Sequence, residues 1–134
     1  MNILTLPSYY KDRYNKVKDV NISNFILDTK NNKINCSCIS NNKHITKISF
    51  DKDVTTNSNC FVDCDCESFK FEFSYITNLN NGLLYPEKYP YLAAKQKNTL
   101  SHLSSCKHII KFAQFIHQRS VLIINEFNKM EAKK

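Results

Sequence analysis

Short runs in which apolar and polar residues alternate predict a β-meander in the first half of the chain. The four runs are Ile22–Asp28, Lys33–Ile39, His44–Phe50 and Cys60–Cys64. Alternation with a period of two residues places one face of each strand against a core. Asparagine-rich tetrapeptides at 29–32 and 40–43 separate the first three runs. Because asparagine tolerates the left-handed backbone of tight turns, both tetrapeptides are predicted to be hairpin loops.

Apolar residues at helical spacing predict three helices around these strands. A short N-terminal helix begins at Ser8, with Tyr10, Tyr14 and Val17 on one face. A second helix, or an irregular helical turn, is predicted over residues 68–79. The C-terminal part is predicted as one long helix, whose apolar face consists of Ile109, Phe112, Ala113, Ile116, Ile123, Phe127 and Met130.

These elements predict a single domain of the α+β class. At 134 residues the chain has the length of one domain, and its 42% hydrophobic and 23% charged residues are typical of folded globular proteins. The predicted parts are a helical arm (1–20), the β-meander (21–66), a long aromatic-rich spacer (67–105) and the C-terminal helix (106–131).

Composition excludes several classes of protein. The single glycine, Gly82, excludes the glycine-rich phosphate loops and dinucleotide fingerprints, which need several glycines. No apolar run approaches the roughly 18 residues of a membrane helix. Residues 1–7 lack the basic and long apolar regions of a secretory signal, so secretion by a signal peptide is not expected.

The net charge of +7 indicates that an anionic partner could be attracted. Residues 51–72 carry six acidic and two basic residues, whereas residues 88–134 carry nine basic and two acidic ones. Lysines and tyrosines interleave in the spacer, as they do in proteins that bind single strands, although the tyrosines could instead pack the spacer onto the sheet. The candidate partner-binding residues are five from the spacer and two from the arm, namely Lys88, Tyr89, Tyr91, Lys95, Lys97, Lys11 and Arg13.

Four residues have the spacing of a structural zinc site, namely Cys64 and Cys66 in Cys-Asp-Cys and Cys106 and His108 in Cys-Lys-His. In a reducing compartment, clustered cysteines indicate metal binding rather than disulfides. Residues i and i+2 point about 200° apart on a helix but share one face of a strand. The first pair is therefore predicted at a strand end.

The second pair is predicted at the start of the C-terminal helix. Cys106 would lie in the preceding turn, with Ser104 or Ser105 as the helix cap, and His108 in the first helical turn. The helix N-terminus is expected to lower the pKa of the Cys106 thiol and so favour a thiolate. His102 could replace His108, although only His108 completes the Cys-x-His pair.

The remaining cysteines leave alternatives open. Cys36 and Cys38 lie on the apolar face of their strand and are interpreted as core thiols. They could instead form a second metal site with His44, joined by Cys60. In an oxidising compartment, Cys36 and Cys60 could form a cross-strand disulfide.

The order of the four ligands resembles the SWIM-type zinc finger, in which Cys-x-Cys, a variable spacer and Cys-x-His follow one another. The resemblance covers the chain from about Ile34 to Phe127, and the spacer of 67–105 is longer than in many members. The run of 66–73, Cys-Glu-Ser-Phe-Lys-Phe-Glu-Phe, is similar to small SWIM-bearing proteins of tailed bacteriophages. The resemblance implies a module that binds nucleic acid or protein and holds one structural Zn²⁺ through Cys64, Cys66, Cys106 and His108.

A site with four protein ligands leaves no open position for substrate, so no enzyme activity is expected. We therefore expect a non-catalytic interaction module, in which zinc joins the meander to the C-terminal helix. The phage resemblance implies a structural or assembly component that docks on other virion proteins, located in the virion or host cytoplasm. The alternative is a nucleic-acid-binding accessory protein that uses the basic arm, the spacer and the C-terminal helix.

The basic residues favour protein as the main partner. Only Arg13 and Arg119 are arginines, and specific base and phosphate recognition favours arginine over lysine. Nucleic acid is expected to be at most a secondary contact. No membrane and no small-molecule substrate is expected.

Overall fold

A computed structural model describes residues 17–30, 33–50, 59–79, 81–89 and 105–133. Most of the predicted N-terminal helix lies outside the described residues. Asn31 and Asn32 of the first predicted loop, together with much of the spacer, also lie outside them. The candidate partner-binding residues outside the described ranges are Tyr91, Lys95, Lys97, Lys11 and Arg13.

Four strands form one antiparallel sheet in sequence order, which confirms the predicted meander and the α+β class. The strands are β1 (Ile22–Lys30), β2 (Lys33–Ser40), β3 (His44–Phe50) and β4 (Cys60–Cys64). The β2–β3 hairpin turns through Asn41 and Asn42, whose φ angles of 53° and 57° are left-handed, as asparagine permits. β1 contains a bulge near Asn24, which also has a left-handed φ of 53°.

The chain after β4 first forms a π-helical turn (Phe69–Phe73), which continues into helix α1 (Ser74–Leu79). Leu83 then pairs with Val62 in a parallel bridge beside β4. One turn of 3₁₀ helix follows at Pro86–Lys88. This part of the predicted spacer is therefore packed against the sheet.

The C-terminal region forms two helices, α2 (Lys107–Gln118) and α3 (Ser120–Ala132), so the prediction of one continuous helix is wrong. The backbone leaves the helical conformation at Arg119, with φ −113° and ψ 19°. The Arg119 guanidinium lies 3.7 Å from the centroid of the Phe115 ring and donates a hydrogen bond to the Phe115 carbonyl. The break allows α2 to pack on β3 and β4 while α3 packs on β1.

The core lies between the inner face of the sheet and the helices. Alternate residues of β2, β3 and β4 face α2, and the π-helical turn and α3 extend the same apolar layer. The largest side chains of this layer that are fully buried are Phe69, Phe73, Phe112, Ile34, Ile48, Ile109, Ile116 and Val62. In the part of the chain that the structure describes, no helix has the length and apolar character needed to cross a membrane.

Candidate metal centre

Cys64, Cys66, Cys106 and His108 converge at one end of the sheet. Their ligand atoms all lie within 4.8 Å of one another, and each of the four residues is no more than 4% exposed. A tetrahedral zinc ion with bonds of about 2.0–2.3 Å separates its ligand atoms by about 3.3–3.8 Å, so the cluster fits a single metal ion. Within the described residues, it is the one cluster of His, Cys and acidic side chains found to suit a metal.

The end of β4 places the first two ligands. Cys64 is the last residue of the strand and faces the core, and Cys66 follows in the turn that leads into the π-helical turn. The Phe69 amide donates a hydrogen bond to the Cys66 sulfur at 3.4 Å, and Cys66 therefore has a fixed orientation. The predicted position of Cys-x-Cys at a strand end is confirmed.

The start of α2 places the other two ligands. Cys106 has an extended backbone (φ −70°, ψ 160°) and is the N-cap residue, and His108 is the second residue of the helix. Because Cys106 itself holds the cap position, Ser105 does not cap the helix as predicted, and its buried hydroxyl has no hydrogen-bond partner among the described residues. Ser104 and His102 lie outside the described residues.

Burial controls the ionisation of these thiols. It raises the pKa of Cys106 well above its usual value, and the neighbouring sulfurs of Cys64 and Cys66 raise it further. The predicted lowering of this pKa is therefore wrong, because loss of solvation outweighs the helix N-terminus. The hydrogen bond between Cys64 and Cys106 lowers the pKa of Cys64. The hydrogen bond with Cys66 and the burial of the thiol have the opposite effect and are stronger together, so the pKa of Cys64 is raised to about 12.

Cys66 behaves in the opposite way. Hydrogen bonds from Cys106 and then Cys64 hold the pKa of Cys66 far below its usual value. The cluster alone thus favours one thiolate that accepts hydrogen bonds from two thiols. Three thiolates can coexist here only if a cation compensates their charge, as a bound divalent metal does.

A chain of buried hydrogen-bonding groups leads from β2 to the cluster. The Thr46 hydroxyl lies 3.6 Å from the Cys64 sulfur and 2.9 Å from the Ser40 hydroxyl, which is 3.7 Å from the Cys38 sulfur. Sequence reasoning missed Thr46. The strand register would have identified it, because Thr46 is directly opposite Cys64 in the β3–β4 pair.

His44 and Asp65 cover the outer side of the cluster. The His44 ring lies 4.7 Å from the His108 ring, and His44 Nδ1 is 2.9 Å from Asp65 Oδ1. Asp65 Oδ1 also accepts a hydrogen bond from the Ile45 amide at 3.2 Å. His44 therefore neighbours the cluster rather than a second site with Cys36 and Cys38.

The other three cysteines, Cys36, Cys38 and Cys60, are buried in the hydrophobic core. A disulfide between Cys36 and Cys60 is excluded, because β3 separates their strands by about 10 Å, beyond the roughly 7 Å limit between Cα atoms. Burial raises the pKa of Cys36 to about 12 and that of Cys38 to about 11, so both remain neutral thiols near neutral pH.

Replacing Cys36 by valine and Cys38 by alanine is expected to leave the metal content unchanged. The free energy of unfolding should fall by about 1–3 kcal/mol, because both side chains pack in the core. Metal analysis and chemical denaturation of the double variant measure the two effects. A metal content of two ions that falls to one would assign these cysteines to a second site.

Two of the candidate partner-binding residues lie beside β4. Tyr89 is 7% exposed, packs edge-on against Phe69 and donates a hydrogen bond to the Cys64 carbonyl at 3.4 Å. Lys88 Nζ lies 3.1 Å from Asp63 Oδ2, and burial raises the pKa of Asp63 while Lys88 opposes that rise. Tyr89 thus packs the spacer onto the sheet, which is one of the two roles that the sequence left open.

Comparison with known proteins assigns no family. No family model matches the chain, and no curated protein and no solved structure is similar enough to match it. The resemblance to the SWIM-type zinc finger therefore rests on the order of the four ligands, which the fold brings together as a cluster that could hold a metal.

Proposed function

We propose that the protein is a non-catalytic interaction module that one zinc ion stabilises. The observation that carries this proposal is the buried cluster of three sulfurs and one imidazole within 4.8 Å. Thiolate and imidazole ligands in a four-coordinate arrangement are typical of structural zinc.

The metal would connect the end of the sheet to the start of α2. Cys64 and Cys66 belong to the end of the sheet, whereas Cys106 and His108 belong to α2. Four protein ligands complete a tetrahedral shell and leave no position for water or substrate. The proposed role of the zinc is therefore stabilisation rather than catalysis.

The purified protein is expected to contain one zinc ion per chain. Cobalt(II) in place of zinc should give the visible absorption bands of a four-coordinate site with thiolate ligands. Azide or thiocyanate should not change these bands, because no position is open to them. Absence of zinc, or a spectrum that responds to the anions, would contradict the closed structural site.

The proposed main partner is another protein. Val121 and Leu122 are neighbours on α3 and are 70% and 67% exposed, so together they form an apolar pair on the surface. Beside them is a cavity of about 510 Å³ whose apolar lining includes Phe25, Leu27 and Met130. Exposed apolar residues next to such a cavity suit an apolar side chain of a protein partner. The resemblance of the run 66–73 to phage proteins supports a partner within a virus particle.

Nucleic-acid binding is expected to be weak at physiological salt. Lysine-rich surfaces bind phosphates through diffuse attraction, which falls by roughly 10³-fold between about 50 and 200 mM salt if about six phosphates are engaged. Titration of DNA and RNA over a salt series measures this dependence. Sequence-selective binding below micromolar concentration that survives physiological salt would favour the alternative, a nucleic-acid-binding accessory protein.

A further inference from the structure

The outer face of the sheet, opposite the core, contains a groove. Leu84, Tyr85 and Pro86 form one wall, and the outward-facing residues of β1, β2 and β3 form the floor. The volume of the groove is about 670 Å³, within the range of about 300–1,000 Å³ that is typical of ligand sites.

Three lysines line this groove, and one of them, Lys47, also attracts the nearby Asp63 carboxylate and opposes the rise in its pKa. Lys30 and Lys33 are paired across β1 and β2, and Lys47 lies on β3. Within the described ranges, none of the three forms a salt bridge with a carboxylate. Asp63, which is opposite Lys47 in the register, forms its ion pair with Lys88, so Lys47 is a weaker, second neighbour of this carboxylate.

One acidic residue also lines the groove. The Asp28 carboxylate accepts a hydrogen bond from the Thr29 amide at 2.8 Å. With three lysines against one aspartate, the groove keeps a positive charge and complements an anionic ligand.

Two of the lysines each lie against an aromatic ring. Lys33 Nζ is 4.1 Å from the centroid of the Phe61 ring. Lys47 Nζ is 5.3 Å from the centroid of the Tyr85 ring and donates a hydrogen bond to its hydroxyl at 3.3 Å. Phe61 and Tyr85 are both half-buried, so part of each ring remains accessible at the groove. The groove therefore contains two pairs in which a lysine ammonium group lies next to an aromatic ring.

We propose that this groove binds single-stranded nucleic acid without sequence preference. Phosphates would draw Lys33 and Lys47 away from the ring faces that they cover, and unpaired bases would stack on the rings of Phe61 and Tyr85 in their place. Positively charged grooves with aromatic stacking platforms bind single strands in this way. A duplex keeps its base faces stacked internally, and an acidic peptide has no regular series of rings, so both fit the surface less well.

The site is separate from the metal centre and from the exposed apolar residues of α3. It also differs from the arm and the C-terminal helix of the alternative function, and it shares with the spacer the wall formed by residues 83–86. The inference therefore does not depend on the identity of the metal or of a protein partner. A single strand bound here would be the secondary, salt-sensitive contact of the interaction module.

The test uses the full chain with its metal and fluorescently labelled oligo(dT) and oligo(U). The double variant Lys33→Gln with Lys47→Gln is compared with Lys43→Gln plus Lys129→Gln, which removes the same charge from exposed positions elsewhere. We expect the groove variant to bind about tenfold or more weakly at 50 mM salt, and its log–log salt slope to fall by about 1.4. The control variant should bind nearly as the unchanged protein does.

Variants of the two aromatic residues provide an independent test. Phe61→Leu and Tyr85→Leu should each weaken single-strand binding by about fivefold or more, with the salt slope unchanged, because stacking is lost while the phosphates remain bound. Circular dichroism and metal content verify the fold of every variant.

Several results would overturn the proposal. One is that the unchanged protein binds neither oligonucleotide. Another is that the groove and control variants lose equal affinity. Equal binding of blunt duplex or of thymidine monophosphate, or equal competition by polyglutamate, would likewise show that the groove does not recognise a single strand.

Discussion

Replacing Cys106 by serine is expected to release the metal and unfold the domain. The residue is fully buried within the cluster, and its loss leaves three ligands and a hydroxyl that zinc binds poorly. Structural zinc contributes about 10–16 kcal/mol to folding in zinc-finger peptides, which is comparable with the whole stability of a typical domain, about 5–15 kcal/mol. Elemental analysis and thermal unfolding by circular dichroism measure both effects.

Cys36→Ser provides the matched control for this experiment. Cys36 is nearly as buried as Cys106 but lies outside the cluster, so the same chemical change should lower stability by only about 1–3 kcal/mol and leave the metal bound. Full metal retention in Cys106→Ser, or equal loss in both variants, would remove Cys106 from the ligand set.

The affinity for zinc is expected to rise about 100-fold for each pH unit near neutral pH. Zinc binds thiolates, so every thiol that is protonated before binding must release its proton. The pKa of Cys64 is raised to about 12 and that of Cys106 is raised well above its usual value, whereas that of Cys66 is strongly lowered. Two protons should therefore leave, and each contributes about a factor of ten per pH unit.

Competition with a chromophoric chelator between about pH 7 and pH 8 measures this slope, after correction for the chelator's own protonation. The matched control is the variant in which Cys36 and Cys38 are replaced, which should give the same slope because neither residue belongs to the cluster. A slope near zero would show that all three thiols are ionised before binding. A slope near three would show that Cys66 also carries a proton.

The meander could be predicted strand by strand because each strand is apolar on one face only. β3 and β4 begin and end where the alternation does, and β1 and β2 extend only one or two residues further. The Asn41–Asn42 turn could also be predicted, because few other residues adopt two consecutive left-handed conformations at low cost.

The break at Arg119 could not be predicted from periodicity. Apolar residues continue at helical spacing on both sides of it, so local sequence favours one uninterrupted helix. The break depends on tertiary packing, since α2 and α3 cover different strands. Such contacts between distant elements are invisible to a pattern that repeats every three or four residues.

The ligand set could be predicted from short spacings, but its surroundings could not. His44 and Thr46 neighbour the cluster because of the β3–β4 register, and the connection over residues 51–59 contains no turn motif that fixes this register. The pKa of Cys106 was mispredicted for a related reason. The helix N-terminus is evident from the sequence, whereas the depth of burial follows from everything packed around it.

The two halves of the cluster are far apart along the chain, and a metal that joins them closes a long loop. Cys64 and His108 are 44 positions apart. A cross-link between them lowers the conformational entropy of the unfolded chain, which corresponds to about 4 kcal/mol of free energy. A disulfide that closed a loop of the same length would have a similar effect. The entropy of closing a flexible loop grows only with the logarithm of its length, and doubling this one would cost about 0.6 kcal/mol more. Added length in this connection therefore costs little loop entropy, so insertions there leave the metal centre intact as long as they spare the packed residues 69–73 and 83–89.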